Sequence, residues 1–93
     1  MRALSLWKGD LVYIPRPPVS EMREVLERVA ARRRVSVNDI IGKSKLRHIA
    51  WARQSAYWHI RHETGASYPR IGKLFGRNAS TILFGVRQHT KRG

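Results

Sequence analysis

The stretch from Ser67 to Lys91, S-Y-P-R-I-G-K-L-F-G-R-N-A-S-T-I-L-F-G-V-R-Q-H-T-K, admits little besides two helices joined by a sharp turn. Ser67 suits an N-cap, because its hydroxyl can accept from an otherwise unpaired amide of the next turn, and Pro69 falls where a missing N–H costs little. Ile71, Leu74 and Phe75 make one apolar face of about two turns. Gly76, Arg77 and Asn78 interrupt that face, and both Gly and Asn accept the positive φ that a corner between helices demands. In the second helix Ile82, Leu83 and Val86 repeat at helical spacing and are expected to point inward. Asn78, Ala79, Ser80, Thr81, Arg87, Gln88 and Lys91 are left at its start or on its outer side. Short polar side chains at the N-terminal end of a helix, with Arg and Lys beside them, are what entry into a DNA major groove requires.

Charge points to the same class of partner. Nineteen Lys and Arg stand against six Asp and Glu, a formal net charge of +13, so the chain is expected to seek polyanions. The excess is uneven: Glu63 is the one acid after residue 41. Ninety-three residues allow one small core and no catalytic domain beside it. With no cysteine there is neither a disulfide framework nor a thiolate zinc site, and no apolar run reaches the roughly 18 residues of a membrane span. The expectation is a cytoplasmic, nucleoid-associated protein with double-stranded DNA as partner, no cofactor and no small-molecule substrate.

The remaining chain supplies a frame for that motif. Residues 1 to 19 alternate loosely and end in Pro15, Pro17 and Pro18, which forbid a helix, so they read as an extended arm that covers the core or meets a second protein. Ser20 is expected to cap a helix to about Arg34, with Met22, Val25, Leu26, Val29 and Ala30 as its buried stripe. The run Arg32-Arg33-Arg34 reads as a solvated helix end, favoured there by the macrodipole, rather than as part of a site. A short helix over about Val37 to Ile41 opens on Ser36 and stops at Gly42. Gly42-Lys43-Ser44 resembles the end of a P-loop, but Val37 stands where that motif needs glycine, which excludes nucleotide binding there. Ser44 is expected to cap the longest helix, about Lys45 to Thr64, with an inner face of Leu46, Ile49, Ala50, Ala56, Tyr57 and Ile60 and a stop at Gly65. Trp51 and Trp58 share one face, read as packing on the first helix in preference to base stacking. His59, His62 and Glu63 lack the H-E-x-x-H spacing, so no metal site is expected. The fold class is all-α: a small domain of about five helices over residues 20–93, with a C-terminal helix-turn-helix and an N-terminal arm.

Residues 36 to 90 resemble the C-terminal DNA-binding domain of the bacterial chromosomal replication initiator DnaA. The family runs through a short helix, a basic loop, a long helix with an A-R-Q core, then S-L-P-x-I-G and G-R-D-H-T-T-V-L-H-A. The corresponding pieces here are Gly42 to Ile49, Ala52-Arg53-Gln54, Ser67 to Gly72, and Gly76 to Gly85. The resemblance implies that the basic loop, Lys43, Lys45 and Arg47, reaches the minor groove. It implies that Tyr68 and Pro69 lie against the major groove, with Asn78, Ala79, Ser80 and Thr81 in the base-reading positions. It places Arg53 and Arg61 at or near the DNA backbone, and the phosphate contacts are expected from Arg53, Arg61, Arg70, Lys73, Arg77 and Arg87. The family's D-H pair is Asn78-Ala79 here, so an amide that can bond adenine bidentately and a methyl that can touch thymine replace a carboxylate and an imidazole.

The function expected is sequence-specific binding of double-stranded DNA, as a transcriptional regulator, with a phage or mobile element as one source of such a chain. The alternatives are an accessory or competitor at replication-initiator sites, and a non-specific basic architectural or RNA-binding protein. Catalysis is not expected, because six scattered acids offer no carboxylate pair.

Overall fold

The structure, a computed structural model, describes residues 18–92. Five helices follow one another: α1 (Val19–Arg33), α2 (Val37–Ile41), α3 (Arg47–Thr64), α4 (Tyr68–Phe75) and α5 (Ala79–Arg92). No strand occurs among the described residues, and none of these helices is long and apolar enough to cross a membrane. The arm expected over residues 1–19 lies, up to residue 17, outside the described residues.

α1 begins earlier than Ser20. Pro18 is its N-cap, extended at φ −61° and ψ 150°, and its carbonyl accepts from Glu21 N at 3.1 Å. Proline is well placed there, because its φ is fixed near that value and the position needs no donor, so Ser20 falls inside the first turn. The helix ends at Arg34 in the left-handed region, φ 59°, where Arg34 N donates to Ala31 O and Val35 N to Ala30 O. That double bond pattern pairs carbonyls a helix end leaves open.

The start of α3 is the second correction. Ser44 does not cap the helix: its hydroxyl accepts from Leu46 N at 3.3 Å, two residues on, and the helix starts at Arg47 with Leu46 as N-cap. A serine that bonds its own near backbone holds a turn open instead of starting a helix. Lys45 and Leu46 therefore belong to the loop, and Leu46, expected on the inner face, is 61% exposed. The expected caps at Ser36 and Ser67 do form, accepting from Asp39 N at 3.0 Å and Arg70 N at 3.3 Å.

α3 is the central element. α1 packs along it on one side and α5 on another, while α4 packs on α5. Leu26, Ile40, Ala52, Ala56, Ile60, Ile71 and Ile82 are fully buried between them, each of the larger ones contributing about 2 kcal/mol of hydrophobic free energy. Tyr57 meets the edge of Phe75 at 4.8 Å and lies so close to Gly85 that a Cβ there would come within 2.6 Å of its ring. The bare backbone at Gly85 thus sets how deeply α5 beds on α3. The tryptophans divide. Trp58 packs against the core, stacked on His62 at 4.0 Å and near His89 of α5 at 5.4 Å. Trp51, expected to pack on the first helix, stands 40% exposed, with the guanidiniums of Arg47 and Arg92 over its ring at 5.8 and 4.7 Å. An indole covered by two cations keeps part of its face from water without a core contact.

Candidate nucleic-acid interface

The turn between α4 and α5 sets the site. Gly76 closes α4 at φ 69°, and Arg77 N donates back to Gly72 O at 2.8 Å, which swings the chain into α5 within three residues. Asn78 then opens α5. Its Oδ1 accepts from Thr81 N at 3.1 Å, from Thr81 Oγ1 at 3.1 Å and from Ser80 Oγ at 2.8 Å. This is an N-cap that also gathers the two hydroxyls beside it. A bidentate pairing to adenine needs that same oxygen as acceptor, so the structure leaves Asn78 its amide N–H donors and gives Oδ1 to the helix.

The cap makes a prediction of its own. Asn78→Ala is expected to cost about 1 kcal/mol of stability, whereas Asn78→Asp, whose carboxylate caps as well, keeps it. Thermal unfolding checks this; equal melting temperatures for the alanine variant and the parent would remove the cap from the account.

Ser80 and Thr81 are exposed at the tip of α5 and Ala79 is half-buried. The outer side continues through Phe84, 61% exposed, to Arg87 and Lys91. Sequence reasoning passed over Phe84, although its place three residues after Thr81 and off the Ile82–Val86 stripe was the signal for it. On α4, Pro69 and Lys73 are exposed and line, with Ser67 and Arg70, a shallow cleft of about 210 Å³ at the helix start. Tyr68 is half-buried against the core with the Arg61 guanidinium 4.7 Å over its ring.

A second cleft, of about 380 Å³, joins the basic loop to the turn. Lys43, Ser44 and Lys45 line one side, Phe75, Gly76 and Arg77 another, with Arg53 and Ile41 completing it. What holds the two sides together is a pair of guanidiniums. Arg53 donates from Nε to Ile40 O at 2.6 Å and from Nη2 to Gly42 O at 3.0 Å and Asp39 O at 3.3 Å. Arg77 donates from Nη1 to Ile41 O and Phe75 O, each at 3.0 Å, and from Nη2 to Gly42 O. The last carbonyls of α2 have no partner within that helix, and two forked cations supply one. Burial, and after it the charge of Arg77, lowers the Arg53 pKa from its ordinary value.

The expected phosphate ligands therefore fall into two groups. Arg53, Arg77 and Arg61, whose Nη1 donates to Ala66 O at 2.9 Å, are part-buried and bonded to backbone carbonyls. Lys73 and Arg87 are exposed, as are the loop cations Lys43, Lys45 and Arg47, and Arg70 is half-exposed. His59, considered as a ligand, is bonded instead to Glu63 at 3.1 Å, which also pairs with Arg28 of α1.

Comparison with known proteins gives this arrangement relatives. The family described as the bacterial dnaA protein helix-turn-helix matches residues 22–89, reaching back into α1 beyond the stretch that carried the resemblance in the sequence. The chain is similar to chromosomal replication initiator proteins DnaA: 37% identical over 81 residues to that of Deinococcus radiodurans, covering 87% of this chain and 17% of the relative. It is 32% identical over 93 residues to that of Rippkaea orientalis, covering 95% and 20%. For Tropheryma whipplei the identity is 35% over 65 residues, covering 70% and 14%. The chain spans a fifth or less of the length of these curated relatives. No solved structure matches it at a significant level.

Proposed function

The chain belongs to the bacterial DnaA helix-turn-helix family, and from that premise we propose that it binds double-stranded DNA in a sequence-specific manner. The observation that carries the reading is that Ser80, Thr81, Lys73 and Arg87 of the helix-turn-helix are exposed together with Lys43, Lys45 and Arg47 of the loop. In this reading residues 20–93 act as the reading head. The start of α5, with Ala79, Ser80, Thr81 and the Asn78 amide, enters the major groove beside Tyr68 and Pro69. Lys45 and Arg47 reach the adjacent minor groove, and Lys43, Arg70, Lys73 and Arg87 meet phosphates. Arg53 and Arg77 hold the loop and turn in register and Arg61 holds the connection between α3 and α4, and a residue in such a position fixes geometry more than it adds charge. Specific base contacts supply discrimination of about 1–3 kcal/mol each, and the exposed cations supply a salt-dependent term common to all sequences.

Two tasks suit such a head. Regulation of transcription is the one the sequence alone favours. Occupancy of initiator sites gains from the comparisons, since the relatives matched over 87–95% of the chain are replication initiators by name. A second protein, reached through residues 1 to 19, would add affinity in either task.

Selection of bound duplexes from a random pool tests the reading. One asymmetric motif is expected, and its overlap with initiator sites decides between the two tasks; affinities that do not change with sequence would overturn specific binding. Lys45→Ala with Arg47→Ala is expected to weaken binding to most sequences and to flatten the slope of log K against log salt by about two, near 0.9 for each phosphate charge lost. An unchanged slope would remove the loop from the interface.

A further inference from the structure

We propose that Phe84 is a specificity residue of this interface and that its ring reads the C5-methyl group of a thymine in the major groove. The inference rests on the DNA-binding reading above and names what the outer face of α5 recognises there. Of the two phenylalanines, Phe75 is 3% exposed in the core, while Phe84 is 61% exposed on the side of α5 opposite Ile82, Gly85 and Val86. It stands one turn beyond Thr81, so it lies roughly 4.5 Å further along the helix, a little over one base-pair step. A side chain there follows the groove edge that Ser80 and Thr81 begin to read.

The chemistry around the ring selects the occupant. Arg87 and Lys91 are exposed on the same helix, which contains no Asp or Glu, so whatever covers Phe84 must also satisfy cations. A polyanion does so. Among the groups that base pairs present in the major groove, the thymine methyl is the apolar one, and phenylalanine is among the residues that contact it. An aromatic ring fixed on a helix can take up such a methyl without ordering a flexible side chain.

The test uses the full chain and the duplex recovered by selection, with each thymine replaced in turn by deoxyuridine, which removes only the methyl. Affinity of the parent chain is expected to fall about four-fold at one thymine, the worth of one buried methyl, and little elsewhere. Phe84→Ala, an exposed position that leaves the core intact, is expected to bind more weakly and to be indifferent to uracil at that thymine. An alanine variant that keeps the full uracil penalty overturns the inference alone, as does a parent chain with no sensitive thymine. A variant that loses self-association with its uracil profile unchanged assigns the ring to a protein contact and overturns it too. If the parent chain selects no motif, the DNA reading itself falls and this inference with it.

Discussion

Gly72→Ala is expected to cost about 3 kcal/mol, combining an overpacked buried site with a broken turn hydrogen bond. An alanine Cβ at this position would lie 2.3 Å from Arg77 O, with Arg77 C at 3.3 Å and Asn78 C at 3.4 Å. All three atoms are backbone, so no side-chain rotation relieves the clash. Nor can the strands of the turn part freely, because Arg77 N is bonded to Gly72 O at 2.8 Å and that bond closes α4. For a domain of this size about 3 kcal/mol corresponds to a fall in melting temperature of roughly 12–24 °C. Gly65→Ala is the control: its φ is positive, at 72°, where that of Gly72 is not, but nothing lies within 4 Å, so only backbone strain of about 1 kcal/mol applies. Circular dichroism during heating separates the two, and equal melting temperatures would contradict the close approach.

This turn also shows how far the sequence could be read. Local signals were legible. Ser36 and Ser67 cap, Gly65 and Gly76 stop, and the apolar stripe of α1 faces the core with Ile82 and Val86 of α5, while Leu83, expected inward beside them, stays half-buried; each correct reading depends on residues within a turn of one another. The two helix starts that moved, to Pro18 and Leu46, did so where a serine had a local alternative or a proline a better claim to the cap. The base-reading end of α5 was legible from periodicity, yet the use of Asn78 Oδ1 as a cap was not, since Asn serves both purposes with the same atom. Least legible were the partners of Arg53 and Arg77. A sequence shows a cation but not which oxygen it meets, and these oxygens lie up to 36 residues away.

Arg53→Met is expected to cost about 3 kcal/mol, since it removes the fork that joins Asp39 O, Ile40 O and Gly42 O and leaves the Ile40 carbonyl without a charged donor, a bond of that kind being worth about 1.5–3 kcal/mol. Arg77 remains on Ile41 O and Gly42 O, so α2 should persist while the basic loop after Gly42 loses its anchor to α3. Arg53→Lys separates this role from phosphate binding. Lysine keeps the charge but presents one compact ammonium that cannot span Ile40 O and Gly42 O as the fork does. If Arg53 positions the loop, the lysine variant recovers less than half of the lost stability, and its salt slope for DNA stays within a few tenths of the parent's. If Arg53 instead met a phosphate, lysine would restore most of the affinity, and methionine would lower the slope by about one with little change in melting temperature. Unfolding curves and salt titrations of the three proteins, run below the lowest melting temperature, distinguish the two. A methionine variant as stable as the parent would return Arg53 to the phosphate contacts and leave Arg77 as the guanidinium that joins the loop to the turn.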